Sequence, residues 1–177
     1  MGGTKNAKTL RMTTLVLNEA ELFVELDRLI RTALLTRRKL LACSLRGSTQ
    51  AIGFIARSSA SALAVAAHEL ADLVRRLGGR PSVEPARQDA LEPLSPVSGQ
   101  EQDLLHACEL AIAEVACEYR DALEWSLPES AQEVLMRQFS VLIANFEHVK
   151  ALRMRLQQAA GLDAADTRHS TPTRPGE

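Results

Sequence analysis

Residues 79–98 read GRPSVEPARQDALEPLSPVS, and this stretch decides the fold. It holds four of the chain's seven prolines, Pro81, Pro85, Pro93 and Pro96. Proline lacks a backbone donor and clashes with the preceding helical turn, so helices run where it is absent. No proline precedes Pro81, and beyond the stretch only Pro128 intervenes before Pro172. The 177-residue chain is thus two long helix-permissive halves separated by a connector.

Working back from the connector, Arg75 and Arg76 followed by Gly78, Gly79 and Pro81 form a strong helix stop. The helix that ends there spans about 49–77 and is crowded with Ala and Ser between Ala56 and Ala67, which lets a neighbour approach closely. An earlier helix, 19–46, opens on Asn18 and Glu21 at capping-box spacing, with Leu17 and Leu22 placed as a hydrophobic staple. Leu22, Leu26, Leu29, Ile30, Ala33, Leu40 and Leu41 recur along it at helical spacing. Its acidic residues lead and its basic ones follow, as the macrodipole favours, before Gly47 stops it and Ser48 caps the next helix.

Working forward, Ser98 and Glu101 repeat the capping box. A third helix, 99–125, carries Leu104, Leu105, Cys108, Ala111, Ile112, Val115, Tyr119, Ala122 and Leu123 on one stripe. Ser126 and Glu129 form another box around Pro128, which a first helical turn tolerates. The fourth helix, 127–158, shows Leu135, Phe139, Leu142, Phe146 and Val149 as the seam of a packed bundle. Residues 1–17 read as a flexible N-terminal segment, 18–160 as the bundle and 161–177 as a disordered tail. The expected class is all-α, two helical hairpins in a four-helix bundle.

Topology follows from the connector's reach. A 28-residue helix is about 42 Å long, whereas 20 extended residues span roughly 60 Å. The connector 79–98 is long enough to travel the bundle and set the second and third helices parallel, the ferritin-like arrangement. A simple up-down bundle needs only a few residues there. Length permits the crossover without compelling it.

Composition bounds the function. Lys and Arg number 21 against 22 Asp and Glu, and only six residues are aromatic. Near-zero net charge argues against a general nucleic-acid binder, and few aromatics argue against a base-stacking platform or most all-β folds. No apolar run approaches the roughly 20 residues of a membrane span, and the first residues lack the apolar core of a signal peptide. A cytoplasmic protein is expected. Cys43, Cys108 and Cys117 are odd in number without CxxC spacing, and are expected as small buried residues. Nine helical residues turn Cys108 and Cys117 to opposite faces, so they cannot bridge.

The segment His68–Pro81 (HELADLVRRLGGRP) resembles an uncharacterised bacterial family of ferritin-like four-helix-bundle proteins with a domain of unknown function. So does EYRDALEWSLPESAQEVLMRQ, through Tyr119, Arg120, Ala122, Leu123, Leu127, Pro128 and Gln138. The resemblance covers about Glu21 to Arg153. It implies the ferritin-like fold and a bacterial source, and it carries no settled activity.

A ferritin-like fold raises a di-iron centre, which needs a Glu from each of two helices and Glu-x-x-His from the other two. This chain contains no Glu-x-x-His. Asp103 and His106 have a related spacing, and with Glu109 they are the candidate metal ligands. Glu109 and Glu118 fall at the flanks of the apolar stripe, and His148 points away from Phe139. In mid-helix, where a ferritin places a carboxylate, stand Arg37, Arg38 and Lys39. The sequence also lacks a phosphate loop, a GxSxG elbow and a Cys–His pairing. No catalytic residue, metal or cofactor is expected, and Glu147–His148 reads as a solvated pair.

Charge placement is the feature that stands out. From Arg28 to His68 there are seven basic residues and no acidic one; from Gln100 to Leu135 there are nine acidic residues and one basic, Arg120. The first reading is that the hairpins lie side by side and complement each other. The second is that Arg37, Arg38 and Lys39 form a face for an acidic subunit or other anionic partner. The expected function is therefore a non-catalytic bundle acting through self-association or protein contacts. The alternative is a divergent ferritin-like metal-binding protein or oxidoreductase.

Overall fold

The computed structural model describes residues 18–46, 49–85 and 100–169, with the side chains of the last helix described through residue 159. Four α-helices account for most of them: α1 Glu19–Ser44, α2 Gln50–Arg76, α3 Glu101–Ala122 and α4 Glu129–His169. The Ser48 and Ser98 caps, the Leu17 staple partner and most of the connector lie outside the described residues.

Local chemistry accounts for the helix ends. Asn18 Oδ1 accepts from the Glu21 amide while Glu21 Oε2 accepts from the Asn18 amide, both at 2.9 Å, closing the capping box of α1. At the end of α2 the Gly79 amide reaches back to Val74 O at 2.9 Å and the Gly78 amide to Arg75 O at 3.1 Å. Gly78 makes this turn at φ 88°, a conformation that side chains strain to adopt. Gly79 then passes so close to Phe23 that a Cβ would lie 2.9 Å from its ring. α3 begins where the Asp103 carboxylate accepts from the Gln100 amide at 3.1 Å. Pro128 sits one residue before α4, its carbonyl accepting from Ala131 and Gln132.

Two extents differ from the sequence reading. α3 stops at Ala122, and residues 123–125 form a tight turn whose amides bond back to residues 119–122. Composition places a disordered tail from residue 161, whereas α4 continues to His169. No proline occurs between Pro128 and Pro172 to stop it, and alanine-rich segments propagate a helix well.

The helices form a square bundle. α1 packs against α2 and α3, and α4 against α3 and α2; α1 and α4 occupy opposite corners. Paired residues give the directions. Arg28 meets Glu118 while Lys39 meets Glu114, so α1 and α3 are antiparallel. Tyr119 meets Gln138 while Glu109 meets Arg153, so α3 and α4 are antiparallel too. α2 ends beside Phe23 at the start of α1, the end of the bundle at which α3 also finishes. The chain from Pro85 to Gln100 must therefore travel the bundle's length, which makes α2 and α3 parallel. The connector crosses, and the fold is the ferritin-like bundle.

The start of that crossing is pinned. The Ser82 amide donates to both carboxylate oxygens of Asp27 at 3.1 Å, which accounts for an aspartate buried in the first half of α1. The core is built from Leu26, Leu29, Ile30 and Leu40 of α1; Ile52, Leu63, Leu70 and Leu73 of α2; Leu105, Ile112 and Tyr119 of α3; and Leu135, Leu142 and Val149 of α4. Buried alanines of α2, Ala56, Ala60, Ala67 and Ala71, bring it close to α1. α2 is also long and apolar enough, by length and composition, to cross a membrane. Serines and Arg57 break its apolar run, so no uninterrupted stretch marks it in sequence. Here its apolar stripe faces the bundle interior.

Candidate functional site

The most buried polar constellation joins three helices. The Tyr119 hydroxyl on α3, wholly enclosed, donates to Gln138 Oε1 on α4 at 2.9 Å. Gln138 Nε2 donates to Glu69 Oε2 at 2.7 Å and to the Ala66 carbonyl at 3.3 Å, both on α2. Arg137 Nη1 completes the chain on Glu69 Oε1 at 3.0 Å. Burial pushes the Tyr119 phenol well above its ordinary value, with the Glu69 charge adding to it. The Arg137 hydrogen bond holds the Glu69 carboxyl below its ordinary value against the opposing effect of burial, with Gln138 assisting. The Tyr119 hydroxyl, the Gln138 amide and both Glu69 oxygens each have a partner, so the network orients the helices.

Beside it, Ala62, Val65 and Ala66 of α2 and Val141 and Leu142 of α4 line an apolar groove of about 220 Å³ whose polar end is Glu69 and Arg137. The sequence reading placed Gln138 in the family resemblance without a role. A signal was present: Gln138 lies three residues after Leu135 and four before Leu142, a polar side chain on an apolar seam.

The candidate metal ligands do not converge. Asp103 caps α3 and is exposed, and His106 is exposed one turn later. Glu109 is drawn into the α3–α4 seam, where Arg153 donates to both of its carboxylate oxygens, Nε at 2.6 Å and Nη2 at 3.3 Å. Among the described residues no three His, Cys, Asp or Glu side chains come together. Glu118, on the opposite flank of α3, accepts from Thr32 at 3.0 Å and pairs with Arg28 at 3.1 Å. The donors present do not fit the two-metal centre the fold is able to hold, because the inward-turned carboxylates are already held by cations and hydroxyl or amide donors.

Lys39 of the basic triad is part of the α1–α3 seam. Lys39 reaches Glu114 at 3.1 Å, and Arg37 and Arg38, half-buried, are likewise engaged. The basic first hairpin and the acidic second hairpin therefore meet along α1 and α3. The pairs are partly exposed, at about 0–1 kcal/mol each, so they fix register more than they add stability.

Cysteine placement corrects one expectation. Cys43 and Cys108 are buried, whereas Cys117 is exposed. The nine-residue spacing requires this, since a helix that turns Cys108 inward must turn Cys117 out. The neighbouring Cys43 thiol, together with burial, raises the Cys108 thiol far above its ordinary value.

No family model matches the chain, and no curated protein matches it. Among solved structures the chain is similar to the bacterioferritin-related protein from Bacteroides fragilis, described as a dodecameric thioferritin in the bacterial domain. The superposition has a TM-score of 0.68 at 14% identity and covers 84% of this chain and 92% of that one. At that identity the likeness is one of fold, and it agrees with the crossover topology traced above.

Proposed function

We propose that this protein is a ferritin-like bundle that works by assembling with copies of itself and with protein partners in the cytoplasm, without a dinuclear metal centre. One observation carries the reading: the partly buried carboxylates, Glu69, Glu109 and Glu118, are each bound by a cation and, for Glu69 and Glu118, by a further hydrogen-bond donor. A metal would have to displace those partners from all three carboxylates. Assembly is supported by the fold it shares with a dodecameric protein. Light scattering at tens of micromolar tests it. A mass that is a multiple of 19.3 kDa supports the reading, and a clean monomer overturns it.

A second reading is favoured by the same likeness, because that neighbour is described as a thioferritin. In it, Asp103, His106 and Glu109 at the start of α3 contribute to a divergent metal site. Metal analysis of protein purified without chelators separates the two, since bound iron or manganese in whole-number amounts per chain supports only the second.

A further inference from the structure

α4 carries two apolar rows. Leu135, Leu142 and Val149 face the core. Met136, Phe139, Ile143, Phe146 and Lys150 form a second row centred roughly 80° around the helix, in alternating steps of three and four residues, the spacing at which one helix packs along another; Phe139 and Phe146, on its inner edge, also pack against the core. Met136 is 55% exposed and Ile143 39%, while Phe139, Phe146 and Lys150 are half-buried. Lys150 lies over the Phe146 ring, 5.7 Å from its centre. Small residues on α3 leave a groove beside this row: Ala113, Ala116 and Cys117 face Phe139, Ile143 and Phe146 across about 170 Å³.

We propose that this row is the docking surface for α4 of a second copy, paired antiparallel about a two-fold axis; the inference rests on the self-association reading and names its surface. Charge chooses both occupant and direction. The exposed acids Glu129 and Glu133 stand at the N-terminal end of α4, and Lys150, the row's own basic residue, toward its described C-terminal part. A parallel pair sets acid against acid and base against base. An antiparallel pair centred between Phe139 and Ile143 layers Phe139 of one copy on Ile143 of the other and Met136 on Phe146. It also brings Lys150 level with Gln132 and Glu133 of the opposite copy. A two-fold contact needs one patch that complements itself, and this row meets that condition. The α3 groove receives the side chains that the other helix projects.

The test is sedimentation or light scattering of the full chain with three variants, helicity being checked by circular dichroism. Ile143→Glu places a charge at an already exposed position and is expected to weaken association at least about thirty-fold. Lys150→Glu sets acid against acid and is expected to weaken it about five- to ten-fold. Adding Glu129→Lys and Glu133→Lys to Lys150→Glu is expected to restore most of the loss. An assembled wild type whose association is unchanged in Ile143→Glu and Lys150→Glu overturns this surface and leaves self-association standing. A monomeric wild type overturns both.

Discussion

Arg153 of α4 donates to both carboxylate oxygens of Glu109 on α3, at 2.6 and 3.3 Å, with both side chains mostly sheltered in the seam. Glu109 is the candidate ligand that turns farthest inward, and this contact gives it a structural role. Removing one partner leaves a charge that water only partly reaches. Arg153→Met and Glu109→Gln are each expected to destabilise the fold. The double variant should lose less than the sum of the two, and urea unfolding of the three proteins measures the coupling.

Tyr119 is the chain's single tyrosine and is fully enclosed, so its ionisation is a clean reporter. Its phenol is raised in the folded state, so the unfolded state gives up its proton first as pH rises. Stability from this group is intact below about pH 10 and falls above it. Tyrosinate absorbance is expected to appear together with loss of helicity. Tyr119→Phe removes this group's share of the alkaline dependence, leaving that of Cys108, and strands Gln138 Oε1, at a cost of about 1–2 kcal/mol.

The acidic limb belongs to Glu69. Its carboxyl is held below the ordinary value by Arg137, so the stability it adds is present above the unfolded-state value and is lost as pH falls through the folded one. The stability gap between wild type and Glu69→Gln should therefore close as the solution is acidified. Chemical unfolding at a series of pH values reads this directly.

What could be read from the chain was what depends on near neighbours. The Asn18–Glu21 box, the apolar stripe of α3 and the stop at Gly78 each need residues within a few positions, and their chemistry is visible in a line of text. The crossover was legible as a reach, while its direction had to come from contacts such as Arg28–Glu118. Tyr119 meets Gln138 and Asp27 meets Ser82 because of the register between separate elements, which periodicity does not encode. Cys117 is instructive because its spacing from Cys108 already required an outward turn. The general tendency of thiols to be buried pointed the other way, and geometry prevails.

That exposure has a consequence for thiol chemistry. Of the three cysteines, Cys117 is expected to react with a thiol reagent in the folded single chain and more slowly where a second copy covers the α3 groove, and Cys43 and Cys108 only on unfolding. Counting labels by mass spectrometry before and after denaturant checks this, and Cys117→Ser should abolish the native reaction.

In the proposed function the inward carboxylates hold helices together and leave no place for paired metals. Anaerobic titration of the full chain with ferrous iron, followed by desalting and metal quantification, tests it most directly. Retention of fewer than about 0.1 iron per chain is expected, because a dinuclear site needs several free carboxylates and imidazoles. Retention of about two per chain, the stoichiometry of a dinuclear centre, would contradict it.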